Sequence, residues 1–312
     1  MVLAALAGNL AIAVVKFVAF GATRSTAMLT EGIHSLVDTG DQLLLLVGQS
    51  RAAKAPNENH PFGYGMETYF WSFIVALMIF LAGGAVGVWE GVEKLLHPAP
   101  ASRPIISFGV LAASAVFEGL SFRTAYREFR DVVRGRRVRL WGFLRLSKDP
   151  NVFATLLEDG AALTGLALAA LGVAGASAGL PWADGAASVA IGVLLLSVAV
   201  FLANETRSLI AGEAAAPVIV ACVEAALADG PGEVRRLRTL HLGPRSILVA
   251  VNWSPPDGLS SAQAAREMAD LEARVRAADE RVAHVFFEAP RPLAAAPPGV
   301  SPSPAPGRSR PR

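Results

Sequence analysis

Long apolar stretches fill the first two thirds of the chain and are separated by short polar connections. A helix that crosses the hydrocarbon core of a bilayer needs about 20 mainly apolar residues. Six stretches have this length, near residues 2–22, 28–49, 68–92, 105–126, 152–176 and 183–209. The pattern therefore predicts six transmembrane helices. The second and fifth are the most polar, as expected of helices that line a site instead of facing lipid.

A different pattern begins near residue 213, where the periodic segments become shorter. It predicts, in order, a helix, two strands, a helix capped by Ser260 and a third strand, over residues 217–228, 235–242, 246–253, 260–278 and 281–288. This α-β-β-α-β order indicates a compact α+β domain. The last residues are rich in Pro, Ala, Ser and Arg, which predicts disorder. The predicted divisions are therefore 1–212, 213–290 and 291–312.

Composition supports an α-helical membrane protein that carries a small polar domain. Hydrophobic residues make up 53% of the chain and charged residues only 17%, whereas a soluble domain averages about 25% charged residues. The single cysteine, Cys222, excludes intrachain disulfides and a cysteine-rich zinc site.

Basic residues are distributed unevenly among the connections. They concentrate after the second and fourth predicted spans, as Arg51, Lys54, Arg130, Arg134, Arg136, Arg137, Arg139, Arg145 and Lys148. The connection after the third span holds Arg103, and the one after the fifth holds no Lys or Arg. Because short cytoplasmic loops carry the excess of Lys and Arg, both termini and the 213–290 domain are predicted to be cytoplasmic. The helices are expected to lie in the cell (inner) membrane.

His34 and Asp38 are four residues apart in the second predicted span. On a helix they lie on one face, one turn apart, where an imidazole and a carboxylate can hold one divalent cation. Glu158 and Asp159 place further carboxylates in the fifth span. Ionisable groups inside a membrane usually mark an ion pathway, so these residues predict a path for metal ions.

Other polar residues of the predicted spans leave alternatives open. Asp41 and Gln42 either orient the ligands or pack against polar groups at the cytoplasmic end of the helix. Lys16 is expected to extend its ammonium group toward the membrane surface.

Three further motifs accompany these features. They are Asn59-His-Pro-Phe-Gly-Tyr-Gly65 before span three, Leu156-Leu-Glu-Asp-Gly-Ala-Ala162 in span five, and Asp184-Gly-Ala-Ala-Ser-Val-Ala-Ile-Gly192 at the start of span six. With six spans, an α-β-β-α-β domain and His34-x-x-x-Asp38, the chain resembles the cation diffusion facilitators. The motif in span five resembles the zinc transporter 9-like branch of that family. The resemblance runs from about residue 1 to residue 290.

The resemblance implies a transporter and not an enzyme. Family members are homodimers that export Zn²⁺ or a related divalent cation in exchange for protons, and the cytoplasmic domain, here 213–290, contributes to dimerisation. The expected partners are therefore the metal ion, protons, the lipid bilayer and a second copy of the chain. No further cofactor and no nucleic acid are expected.

The family's transport site takes two ligands from span two and two from span five. His34 and Asp38 match the first pair, and Asp159 matches the carboxylate of the second pair. The remaining position, which is His or Asp in the family, is Thr155 here. Glu158 is an alternative fourth ligand, although neighbouring helical residues point about 100° apart. A water molecule is a third possibility.

Two secondary metal sites of the family are expected to be lost. The loop positions correspond to Asn57, His60 and Tyr64, of which only His60 is a good ligand. The histidine positions of the C-terminal domain correspond to Arg235, Val251, Ala265 and Phe287.

The sequence leaves two alternatives to Zn²⁺ transport. Thr155 in place of a histidine makes the site richer in oxygen, which favours Fe²⁺, Co²⁺ or Mn²⁺. In the other alternative, the protein no longer transports and acts as a membrane-anchored interaction protein.

Overall fold

The computed structural model describes residues 2–23, 26–98, 104–133 and 150–288. Arg103, most of the basic connection after span four (134–149) and the predicted disordered tail (291–312) lie outside the described residues. The predictions made for these segments remain predictions.

Six long helices occupy the positions of the six predicted spans. They are α1 (Val2–Thr23), α2 (Thr26–Ala52), α3 (Glu67–Leu96), α4 (Pro104–Val133), α5 (Pro150–Ser177) and α6 (Trp182–Ile210). Within α3, residues Ile79–Ala85 form a π-helical segment. The helical character of all six spans is therefore confirmed.

Four of these helices are long and apolar enough to cross a membrane by length and composition: α3, the Pro104–Arg127 part of α4, the Phe153–Ser177 part of α5, and α6. The apolar part of α1 within the described residues, Leu10–Ala22, is shorter. Helix α2 carries several polar and charged residues along its length. The chain is a membrane protein, and the number of six crossings stays a prediction.

Helices α3 and α6 pack with their backbones in close contact. A Cβ atom added at Gly91 would lie 2.5 Å from the backbone nitrogen of Val189, and one added at Gly192 would lie 2.5 Å from that of Val88. Small residues of this kind let membrane helices approach closely. At the end of the contact, the Nζ atom of Lys94 lies 3.2 Å from Oδ2 of Asp184. Glycines and an ion pair thus join these two helices.

Helices α2 and α5 are held in place by their neighbours. One buried cluster joins α2, α3, α5 and α6 through residues that include Leu45, Val75, Phe153 and Leu202. A second joins α1, α4 and α5 through Ala19, Leu111, Leu166, Ala169 and Val173. The polar faces of α2 and α5 are therefore fixed by apolar packing on other sides of the same helices.

The C-terminal segment has the predicted order of elements. These are α7 (Pro217–Ala228), β1 (Glu233–Gly243), β2 (Ser246–Ser254), α8 (Ser261–Ala278) and β3 (Val282–Glu288). The sheet order is β1-β2-β3, with β1 and β2 antiparallel and β2 and β3 parallel. Parallel neighbours need a crossover connection, which α8 provides.

Ser260 caps α8 as predicted. Its hydroxyl accepts a hydrogen bond from the backbone N–H of Gln263, and its own N–H donates to Oε1 of Gln263. This reciprocal pair satisfies two donors at the start of the helix. The helices and the sheet enclose a core with Val223, Val249, Val251 and Val275 fully buried.

The loop between α2 and α3 lies against this sheet. The ring centroid of Phe62 is 5.2 Å from that of His284 and 6.2 Å from that of Phe286, both on β3. The loop and the C-terminal sheet are therefore at the same end of the helix bundle, as the alternation of loops predicts.

Candidate cation site

Buried carboxylates from α2 and α5 converge between these two helices. Asp38 and Asp41 on α2 and Glu158 on α5 each offer one oxygen, and these three oxygens all lie within 4.8 Å of one another. Three oxygens that share one zinc ion at Zn–O distances near 2.2 Å lie at most about 3.8 Å from one another when they are evenly spaced around it. An approach of about 1 Å between the side chains would therefore bring all three carboxylates onto one ion.

His34 lies one turn before Asp38 on the same face of α2. Its Nε2 atom is 3.6 Å from Oδ2 of Asp38, which is longer than a good hydrogen bond. Two neighbouring ligands of a tetrahedral zinc ion are separated by about 3.4 Å. The spacing of the two side chains therefore suits joint ligation of a cation, as the sequence predicts for this pair.

A cavity adjoins this group of residues. His34, Asp38 and Glu158 line it on the polar side, and Leu195 and Val198 of α6 line it on the apolar side. Its remaining lining residues include Ile79 and Gly83, from the π-helical segment of α3. Such segments occur often at functional sites. Sequence reasoning missed this segment, for which the adjacent pair Gly83-Gly84 is the only local signal.

Asp159 and Thr155 are placed differently from Glu158. Oδ2 of Asp159 accepts a hydrogen bond of 2.9 Å from the hydroxyl of Ser121 on α4, and Asp159 is not a member of the three-carboxylate group. Thr155 is partly buried and does not line the cavity. Since successive helical residues point about 100° apart, Glu158 and Asp159 face different neighbours. The structure thus brings together His34, Asp38 and Glu158 of the predicted ligands and adds Asp41.

Asp41 is the most deeply buried of these carboxylates. Its exposed fraction is 0%, and neither carboxylate oxygen has a hydrogen-bond partner among the described residues. Nδ1 of His34 and Oε1 of Gln42 are buried without a partner as well. Buried polar atoms in proteins are nearly always paired, so such a group calls for an explanation.

The position of Lys16 differs from the one expected from the sequence. Its side chain does not extend toward the membrane surface: it is 1% exposed, and its Nζ atom donates a 2.7 Å hydrogen bond to Oγ of Ser35 on α2. Ser35 lies between His34 and Asp38 in the sequence, so this ammonium group lies beside the site. Burial against a neighbouring helix, with a hydroxyl partner within reach, replaces the expected contact with the surface.

Negative groups outnumber positive ones in the interior of the helix bundle. The buried carboxyl groups of the described helices are Asp38, Asp41, Glu118, Glu158 and Asp159. Over the same residues, Lys16 is the one buried Lys or Arg. When these carboxyl groups are ionised, the bundle interior attracts cations.

The residues at the two secondary metal-site positions make other contacts. In the loop, Nδ2 of Asn57 donates a 2.7 Å hydrogen bond to the hydroxyl of Tyr64, and the ring of His60 stacks on that of Tyr64 with centroids 4.1 Å apart. In the C-terminal domain, Val251 is fully buried in the core. Arg235 is exposed beside Glu233. Across the described ranges, only one group of three or more His, Cys, Asp or Glu side chains could hold a single ion, and it is the group on α2 and α5.

Comparison with known proteins identifies the family of the chain. The model of the cation efflux transmembrane domain matches residues 2–211, about two thirds of the chain. The chain belongs to the cation efflux family. This family is the cation diffusion facilitators that the sequence motifs resemble, and the chain falls in its zinc transporter 9-like branch.

Three relatives illustrate the similarity. The mitochondrial proton-coupled zinc antiporter SLC30A9 of Homo sapiens is 33% identical over 228 residues, which cover 72% of this chain and 39% of that protein. Metal tolerance protein C4 of Arabidopsis thaliana is 32% identical over 200 residues, which cover 64% and 44%. An uncharacterised transporter of Methanocaldococcus jannaschii is 24% identical over 271 residues, which cover 86% and 88%. The chain therefore spans less than half the length of the first two relatives.

Proposed function

We propose that this protein transports a divalent metal cation, with Zn²⁺ as the first candidate, out of the cytoplasm in exchange for protons. The observation that supports the proposal is the meeting of Asp38, Asp41 and Glu158 beside His34, inside a bundle of apolar helices. Charged groups are costly inside a membrane and are kept there where ions pass. The zinc and proton substrates named for the human relative point the same way.

The site provides its own coupling to protons. A metal ion binds deprotonated carboxylates and a neutral imidazole, so protons and the metal compete for the same atoms. Protonation of the ligands on the side with the lower pH releases the metal there. Asp159 and Thr155 remain candidate ligands from the family pattern and join the site if α5 rotates.

A harder divalent ion is the second candidate substrate. The cluster of Asp38, Asp41 and Glu158 offers only carboxylate oxygens. His34 is the one candidate ligand that offers a nitrogen, since Thr155 has only a hydroxyl. Carboxylate oxygens favour ions such as Mn²⁺ over ions that prefer nitrogen or sulfur. Fe²⁺, Co²⁺ and Mn²⁺ are therefore the alternatives to Zn²⁺.

We place the protein in the cell (inner) membrane as a homodimer, with both termini in the cytoplasm and residues 213–290 contributing to the dimer. The distribution of Lys and Arg among the short connections and the contact of Phe62 with the C-terminal sheet support the orientation. The homodimer follows from the family pattern. A mitochondrial membrane is the alternative location, because five of the similar proteins carry that word in their names.

Flux into proteoliposomes tests the proposed function. Purified wild-type protein is reconstituted, the vesicle interior is made acidic, and uptake of Zn²⁺ and Mn²⁺ is followed together with internal pH. We expect metal uptake that is faster with the pH gradient than without it, and a rise of internal pH as the metal enters. Absence of flux for every divalent ion, with correctly folded protein, would favour the membrane interaction protein instead.

A further inference from the structure

We infer that Asp38, Asp41 and Glu158 form an all-carboxylate binding position for a divalent cation, and that Asp41 is a direct ligand in it. The inference rests on the proposed function and deepens it, since it adds a ligand that the family pattern does not contain and specifies the class of ion. The position lies next to the His34–Asp38 pair and shares Asp38 with it.

The first support is the state of Asp41. This carboxylate is completely buried, and both of its oxygens lack a hydrogen-bond partner within the described part of the chain. Burying an ionised carboxylate without a partner is so costly that it is found paired, protonated or bound to a metal. No arginine or lysine of the described residues forms an ion pair with it, and its oxygen points toward those of Asp38 and Glu158.

The second support is that two helices contribute to the same point. Asp38 and Asp41 are three residues apart, which places them on neighbouring turns of one face of α2. Glu158 reaches them from α5. Three buried negative charges this close repel each other strongly in a medium of low dielectric constant. A divalent cation at their centre turns that repulsion into attraction.

The shared carboxylate links the two positions. Nε2 of His34 lies 3.6 Å from an oxygen of Asp38. An oxygen of Asp38 also lies within 4.8 Å of one oxygen each of Asp41 and Glu158, in a group that does not include the imidazole. An ion held by Asp38 can therefore move between a position with a nitrogen ligand and one without, while remaining bound to the same carboxylate.

The ligand set defines the class of ion. Three carboxylates and no imidazole suit hard cations such as Mn²⁺, whereas Zn²⁺ gains more from the nitrogen of His34. The two positions are thus expected to differ in preference, with Mn²⁺ held at the Asp41 side and Zn²⁺ held at the His34 side.

Binding of Mn²⁺ and Zn²⁺ to the purified full-length protein tests the inference. We expect Asp41→Asn to weaken Mn²⁺ binding by about tenfold or more and Zn²⁺ binding by less than about threefold. Asp184→Asn is the matched control, because it removes one carboxylate from a helix of the same bundle, away from the site. It should change neither affinity. Unchanged Mn²⁺ affinity in Asp41→Asn, or equal weakening for both ions, would overturn the inference.

A measurement on the wild-type protein guards against a variant that fails to fold. Pulsed electron paramagnetic resonance of substoichiometric Mn²⁺ detects directly bound nitrogen. We expect no such signal, and a strong imidazole coupling would contradict the all-carboxylate position. The two proposals remain separable: Mn²⁺ binding without flux would refute transport alone, and flux with unchanged Mn²⁺ affinity in Asp41→Asn would refute this position alone.

Discussion

Two helix pairs in the bundle, α3–α6 and α2–α5, are built in opposite ways. Between α3 and α6, glycines bring the backbones into contact, and Lys94 pairs with Asp184. Between α2 and α5, buried carboxylates converge, and the oxygens of Asp41 have no partner among the described residues. Between α3 and α6, the charged groups of Lys94 and Asp184 are paired, and the close packing stabilises the fold. The second pair leaves the carboxylate of Asp41 uncompensated among the described residues, which costs stability and marks a functional site.

The comparison predicts separate consequences for changes in the two pairs. Substitutions of the carboxylates between α2 and α5 should reduce transport. For Asp41, whose oxygens have no partner among the described residues, stability should stay the same or rise because uncompensated buried charge is removed. Substitutions between α3 and α6 should reduce stability, while the protein that remains folded keeps its affinity for metal.

The largest effect on transport is expected for Asp38→Asn. Asp38 is the carboxylate shared by His34, Asp41 and Glu158, and asparagine keeps its shape but loses the charge. Metal flux in proteoliposomes should fall by about 100-fold or more, a loss of about 2.7 kcal/mol of transition-state stabilisation. Asp184→Asn should retain flux, and a wild-type rate in Asp38→Asn would remove this residue from the site.

A series on α5 compares its three candidate ligands. Because Glu158 and not Thr155 reaches the α2 carboxylates, Glu158→Gln should reduce flux by about tenfold or more, at least as much as Asp159→Asn. Thr155→Ala should have little effect. Thr155→His adds a nitrogen one turn before Asp159 and should favour Zn²⁺ over Mn²⁺. If Thr155→Ala instead proves more damaging than Glu158→Gln, α5 presents its other face to the ion.

Packing between α3 and α6 is tested by Gly192→Ala. The added methyl group meets the backbone of Val88, and overpacking of this kind typically costs about 1–3 kcal/mol of folding free energy. The melting temperature in detergent should fall, with Zn²⁺ affinity unchanged in the folded fraction. Gly119→Ala on α4 is the matched control, since a Cβ there meets open space. Equal melting temperatures for the two variants would contradict the close contact.

The smallest effect is expected in the C-terminal domain. His284 packs against the ring of Phe62, and the neighbouring family metal positions are occupied by residues such as Val251 and Phe287, which pack in or against the core. His284→Ala should therefore leave the number of Zn²⁺ ions bound per full-length chain unchanged, as measured by elemental analysis after dialysis. Loss of one bound ion would show that this domain holds a metal and that the α2–α5 pair is not the only binding region.

Local patterns in the sequence were sufficient to predict most of the helices and strands and one ligand pair. Apolar length places the six helices, alternation places the strands, and Ser260 marks the start of α8. The spacing of His34 and Asp38 follows directly from helix geometry. These features depend on residues close together in the chain, so a single sequence contains them.

Features that depend on contact between distant helices could not be predicted in this way. The π-helical segment in α3 lies where Gly83 and Gly84 pack against Leu195 and Leu196 of α6. The burial of Lys16 depends on Ser35 in another helix. The inclusion of Asp41 depends on how α2 is rotated toward α5, which the residues of α2 alone do not determine.

The position of a bound ion tests the central claim most directly. Crystals of the full-length protein grown with Mn²⁺ would be measured near the manganese absorption edge, where anomalous scattering locates the metal without assumptions about its ligands. We predict an anomalous peak among the carboxylates of Asp38, Asp41 and Glu158, within ligand distance of each. A fully occupied ion elsewhere in the bundle, with these three carboxylates unoccupied, would contradict the assignment of α2 and α5 as the cation site.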